Sequence, residues 1–153
     1  MKEMNKKGFT LIELLAIIVI LAIIAVITVP IILNIIDEAR KGAEKNSVIG
    51  YGKAVELAYT QYQYDNSLGT TPNSHEGTEL NSSDDGKVIK VTIDNAAKFL
   101  KVDFDGDKVV CTVDATNNKN NTITNGIVSL QNCKVNDGST VYNYSGGKAT
   151  PAS

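Results

Sequence analysis

From Leu14 to Leu33 the chain runs for 20 residues with Thr28 as its only polar side chain. As a helix, at about 1.5 Å per residue, this stretch covers roughly 30 Å, the thickness of a bilayer core. No water-soluble fold of 153 residues exposes such a segment, so it must sit in lipid or against other protein. The rest of the chain is rich in Asn, Thr, Ser, Asp and Gly, as expected of one soluble domain carrying a membrane appendage. The formal net charge is −2, with no basic excess to point to nucleic acid.

Lys2, Lys6 and Lys7 precede the apolar run, and Asp37 and Glu38 follow it. The positive-inside tendency places the N-terminus in the cytoplasm and the C-terminal domain outside. A common secretory signal has the same order but is cut after its apolar region at small residues. Here Asn34, Ile35, Ile36 and Asp37 offer no such site, so the segment reads as a retained anchor. Glu13 does not suit a plain anchor. A carboxylate in the bilayer costs on the order of 2.5–3.5 kcal/mol at the centre and less near the interface. Nothing from Leu11 to Leu33 can pair with it, which leaves a lipid head group, water or another protein.

The segment Lys7-Gly8-Phe9-Thr10-Leu11-Ile12-Glu13-Leu14-Leu15 resembles the type III signal peptide of type IV pilins and pseudopilins. The resemblance covers residues 6 to about 36 and is architectural beyond. It implies that a membrane aspartyl peptidase cuts between Gly8 and Phe9 and methylates the amine of Phe9. The cut precedes the apolar run, so the membrane helix stays attached. Pro30 resembles the proline common in the family's first helix. The resemblance also implies that Glu13 pairs with the N-terminal amine of a neighbouring subunit during assembly. Two buried opposite charges offset each other's desolvation only when subunits dock in register.

The expected fold is α+β and pilin-like: a long N-terminal helix, membrane half plus amphipathic half, packed on a small antiparallel β-sheet. The parts are a leader at 1–8, a transmembrane or filament-core helix at 9–36 and an extracellular globular domain at 37–153. Val48, Tyr51, Val55, Tyr59 and Tyr62 recur at steps of three and four, one apolar stripe on a helix. That predicts a helix from about Phe9 to about Tyr62, with Gly42, Gly50 and Gly52 as soft points able to bend it. The stripe reads as a face packed on the sheet. Pro30 should kink or loosen the membrane half.

Residues 65–86 lack apolar periodicity and read as a long exposed loop. The single His75 lies in it, an ordinary place for an exposed histidine. Strands are expected at Lys87–Ile93, Val102–Phe104, Lys108–Val113, Gly126–Val135 and Thr140–Tyr144. Asp94 caps a short helix through Leu100. Asp105-Gly106 and Asp137-Gly138 read as hairpin turns, and Asn117–Asn121 as a polar loop. Tyr142 and Tyr144 face the same way along a strand. Cys111 and Cys133 are the two cysteines and should pair in an exported domain, stapling two strands as a hairpin with roughly 3 kcal/mol of stabilisation.

Asp103, Asp105 and Asp107 alternate about Gly106, but their spacing fails an EF-hand loop and a turn accounts for them. No metal or other cofactor is expected. No nucleophile, P-loop or zinc constellation is present in the sequence, so no enzyme is expected. Removing the leader takes away Lys2, Lys6, Lys7 and Glu3, leaving 12 basic against 16 acidic residues and a net charge of −4. Direct nucleic-acid binding is not favoured.

The expected function is a structural subunit of a type IV pilus-like extracellular filament. It is stored in the cytoplasmic membrane and then assembled at the cell surface. Its partners are copies of itself in a helical filament, the prepilin peptidase and the assembly machinery. A pseudopilin of a type II secretion or competence system shares the same pattern. A membrane-anchored binding module that never polymerises is the reading of another class, and it has no use for Glu13.

Overall fold

The computed structural model describes residues 8–69, 86–93, 96–112, 121–136 and 138–152. The chain divides into two units, residues 1–40 and 41–153. Helix α1, Leu11–Leu68, contributes to both. The expected helix stops at Tyr62; the observed one continues to Leu68, and Gly69 at φ +64° ends it. Glycine suits that left-handed position after a helix because it has no Cβ to clash.

In the first unit every residue of α1 is exposed, and this end of the helix is long and apolar enough to cross a membrane. The helix runs through Pro30 without a break, although Pro30 has no N–H for the preceding turn. Thr28 Oγ1 donates to the Ile24 carbonyl at 2.6 Å, which gives the hydroxyl of the run's one polar side chain a partner within the helix.

In the second unit α1 packs on a seven-stranded sheet. The strands are β1 (Val88–Ile93), β2 (Ala96–Lys101), β3 (Val109–Cys111), β4 (Thr122–Thr124), β5 (Ile127–Val135), β6 (Tyr142–Ser145) and β7 (Lys148–Pro151). Their order is β2-β1-β4-β5-β6-β7, with β3 also paired to β5. All pairs are antiparallel except β1 with β4. The expected antiparallel sheet is therefore mixed. The parallel pair follows from the long connection through β2 and β3, which returns the chain beside β1 in the same direction.

The apolar stripe is the helical half of the core. Val48, Tyr51 and Val55 are buried, and Tyr59 and Tyr62 pack partly buried beside them. The sheet offers alternating inward residues: Ile89, Val91 and Ile93 from β1, Val128 and Leu130 from β5, Tyr142 and Tyr144 from β6. Residues Leu130 and Cys133 oppose Tyr144 and Tyr142, three steps against two. A bulge at Asn132 (φ +53°) absorbs the extra residue and lets both Leu130 and Cys133 face the core.

Several local expectations are corrected. Ala96–Leu100 is strand β2, not a helix, because it pairs with β1 along its whole length and puts Leu100 into the core. Helix-forming Ala, Lys and Leu are overridden by that pairing. The capping Asp94 lies outside the described residues. Asp105-Gly106 is not a hairpin turn. Val102 N donates to the Lys87 carbonyl, and β3 pairs with β5 instead. The segment between them is fastened to the helix: the Phe104 ring meets Tyr51 edge-on at 5.7 Å, and Ser47 Oγ donates to Asp107 at 2.7 Å. The expected strand starts at Gly126 and Thr140 move to Ile127 and Tyr142. Of the expected 65–86 loop, Asp65–Leu68 is helical; residues 70–85, with His75, lie outside the described residues, as do 113–120 and Asp137.

Two further hairpins close with two-residue turns that are not among the expected ones. Asn125-Gly126 joins β4 to β5 and Gly146-Gly147 joins β6 to β7, with all four residues at positive φ. That is the backbone of the two-residue turn whose twist matches the strands.

Two of the three helix glycines seat aromatic rings. A Cβ on Gly52 would run into the Tyr144 ring, and one on Gly50 would lie 3.2 Å from Phe104. Around Gly42 there is open space. Ala gains roughly 1 kcal/mol over Gly in a helix, whereas overpacking a core costs about 1–3 kcal/mol. Gly42→Ala is therefore expected to stabilise the protein and Gly52→Ala to destabilise it by about 1–2 kcal/mol, as read by urea denaturation in detergent.

One buried polar side chain ties the sheet together. Asn121 is 1% exposed. Its Nδ2 donates to the carbonyls of Cys111 at 3.2 Å and Lys90 at 3.3 Å, and its Oδ1 accepts from Gln131 N at 2.9 Å. It thus links β1, β3 and β5 where β3 ends and β4 begins. Asn121→Ala orphans these buried groups and should cost about 1–3 kcal/mol for each one left unsatisfied, while Asn121→Gln should rescue little of it. The same denaturation measurement decides.

Candidate assembly site

The helix start is built by Thr10 and Glu13. Thr10 lies just before α1 and carries the first helical acceptor, taking N–H bonds from Glu13 at 3.1 Å and Leu14 at 3.2 Å on its carbonyl. Its hydroxyl accepts from Glu13 N at 3.4 Å and donates to Glu13 Oε2 at 2.8 Å. Glu13 Oε2 in turn accepts from Thr10 N at 2.9 Å. This is a capping box, which satisfies otherwise orphaned donors at a helix N-terminus. The carboxylate also meets the positive end of the helix dipole.

Glu13 therefore has a partner within the chain, Thr10, one residue before the Leu11–Leu33 span that offers none. The signature Thr-x-x-Glu before an apolar run stands in the sequence and would have found it. Gly8 and Phe9 precede the helix, both exposed, and nothing lies within 4 Å of where a Gly8 Cβ would be. The Gly8–Phe9 bond is open backbone outside the helix. Pro30 sits inside α1, some 17 residues on from Glu13. The structure brings Thr10 and Glu13 together, and it does not bring Pro30 to either.

Residues 4–29 match the family model of the prokaryotic N-terminal methylation motif. That is the type IV prepilin signal. The motif and the apolar helix behind it fit a membrane-anchored, pilin- or pseudopilin-like precursor. No curated protein and no solved structure matches the chain.

The second unit holds the staple. Cys111 and Cys133 are bonded and stand directly opposite each other in the β3–β5 pairing. The expected antiparallel pairing of their strands holds, but β4 lies between them in sequence and continues along the same side of β5. Closing a loop of 22 residues contributes about 3 kcal/mol in the chain-entropy model. Among the described residues no three His, Cys, Asp or Glu side chains group to hold a metal. Asp107 is engaged by Ser47.

Two tyrosines of β6 reach helix carboxylates. Tyr142 Oη lies 3.2 Å from both the Lys41 carbonyl and Glu44 Oε2. Tyr144 Oη donates to Glu56 Oε1 at 2.7 Å. Burial, and then the neighbouring Glu44, raise the Tyr142 hydroxyl above its usual range. Burial, and then the hydrogen bond to Glu56, push Tyr144 up to about 12 from 10.0. The tyrosines act as packing groups with a polar tip. A raised folded-state value means that the stability it carries is intact below pH 10 and is lost as pH climbs toward 12. Stability measured by denaturation should fall across that window, and Tyr144→Phe should lessen the fall.

Proposed function

We propose that the protein is a structural, non-enzymatic subunit of a type IV pilus-like extracellular filament. It is cut between Gly8 and Phe9, methylated on the Phe9 amine and assembled with copies of itself through α1. The match of residues 4–29 to the methylation motif, set on a helix half exposed on every side, carries this reading. An apolar surface of that extent needs lipid before assembly and neighbouring helices after it. Leaving one for the other changes little in apolar burial, so docking must be specified by polar contacts and shape.

Glu13 is the polar contact available. Its carboxylate sits 2.9 Å from the Thr10 amide nitrogen, adjacent in the chain to the amine that cutting would free on Phe9. On this reading the cap keeps the carboxylate at the helix tip until a neighbour's amine reaches it. Paired there, the two charges set the axial register of subunits.

Mass spectrometry of the N-terminal peptide from sheared surface material tests the reading. The expected terminus is methylated Phe9. A Met1 terminus confined to membranes would overturn it. Glu13→Gln separates charge from capping, because Gln also serves in a capping box. Glu13→Gln is expected to be cut normally yet to be missing from the sheared fraction, like Glu13→Ala. Filaments at wild-type yield from Glu13→Gln would remove the charge pair from the mechanism.

A further inference from the structure

The sheet has two faces, and α1 covers one. Residues on the other follow from the pairing register. Thr92 on β1 stands opposite Thr122 on β4, Thr122 opposite Ser129 on β5, Ser129 opposite Ser145 on β6, and Ser145 opposite Lys148 on β7. Their neighbours along each strand, Ile93, Ile123, Val128, Leu130, Tyr144 and Ala149, are buried. Alternation therefore turns the row away from the core. Four hydroxyls and an ammonium lie in one line across five strands, about 4.8 Å from strand to strand.

The next row back along β1 and β2 holds Lys90, exposed, with its ammonium 5.5 Å from the centre of the Phe99 ring. On β6 and β7 the corresponding outward pair is Asn143 and Thr150. The charge on the strands is one-sided. The seven strands contain five lysines, Lys90, Lys98, Lys101, Lys134 and Lys148, and no aspartate or glutamate. The whole chain is nevertheless acidic by two charges. Glu44 and Glu56 answer the sheet's tyrosines from the helix side.

We propose that this outward face, the hydroxyl row Thr92-Thr122-Ser129-Ser145 flanked by Lys90 and Lys148, docks an acidic polysaccharide. Hydroxyl side chains both donate and accept, which matches the mixed donors and acceptors of a sugar chain. Dispersed lysines supply point charges for scattered carboxylates. Single-stranded nucleic acid calls instead for successive aromatic platforms in a basic groove, and the outward rows carry one ring, Phe99. Duplex DNA calls for a density of phosphate contacts that four dispersed outward lysines, Lys90, Lys101, Lys134 and Lys148, do not provide. The face belongs to the globular unit alone, so the proposal does not depend on filament assembly.

The experiment uses the full chain in nonionic detergent, with polygalacturonate as the probe and dextran and duplex DNA as competitors. Binding to polygalacturonate that weakens with salt, and that dextran does not displace, is expected. Thr122→Val and Ser129→Ala leave the charge unchanged and each should weaken binding about threefold to tenfold, the loss of one hydrogen-bonding group. Lys90→Glu with Lys148→Glu should abolish binding. Circular dichroism and an intact Cys111–Cys133 bond establish that each variant is folded. No binding, no effect of Thr122→Val and Ser129→Ala, or preference for DNA at equal charge would each overturn the proposal. In the last case the surface is a generic polyanion site.

Discussion

How near α1 can lie to the sheet is set at one place, where the ring of Tyr144 rests on the bare backbone of Gly52. A glycine mid-helix is a local weakness. Here the missing Cβ makes room for one of the two inward tyrosines of β6. The ring's hydroxyl then reaches Glu56 one turn further on, so a buried polar tip is satisfied by the helix it packs against. With that spacing fixed, Val48, Tyr51 and Val55 meet the inward residues of β1 and β5. Phe104 closes on Tyr51 and on the space beside Gly50.

The sheet itself converges on β5, which pairs with β3, β4 and β6. Two short strands share one side of it, and such a junction leaves backbone groups without regular partners. Asn121 takes up that role with three hydrogen bonds, and the disulfide locks β3 to β5 just beside it. A covalent bond and a buried amide thus stabilise the point where regular pairing is interrupted. The bulge at Asn132 serves the same strand by returning Cys133 to the core side.

The two ends of α1 answer to different physics. In the first unit every described residue of the helix is exposed, and polar side chains find partners within it: the Thr10–Glu13 box at its start and the Thr28 hydroxyl on the Ile24 carbonyl. In the second it is amphipathic, and its glycines and tyrosine contacts fit one particular sheet. The proposed filament uses the first property; the proposed polysaccharide surface lies on the far side of the second.

Much of this was readable from residues alone. A 20-residue apolar run with basic and acidic flanks admits few readings, because hydrocarbon in water is costly whatever surrounds it. The prepilin signal is a contiguous string, so Gly8, Phe9 and Glu13 were found without a fold. The stripe from Val48 to Tyr62 and the pairing of the only two cysteines follow from helical period and compartment. The hairpin turns at Asn125-Gly126 and Gly146-Gly147 and the Thr10 cap are local signatures too, present in the sequence without a fold. What only the tertiary structure decided is everything carried by long-range partners. Ala96–Lys101 became a strand because β1 offered it an edge. The parallel β1–β4 pair, the use of Gly50 and Gly52 as seats for rings, and the burial of Asn121 depend on residues tens of positions away. So does the alignment of Thr92, Thr122, Ser129 and Ser145. Sequence periodicity reports which face a residue prefers; only the register of paired strands decides which residue stands beside it.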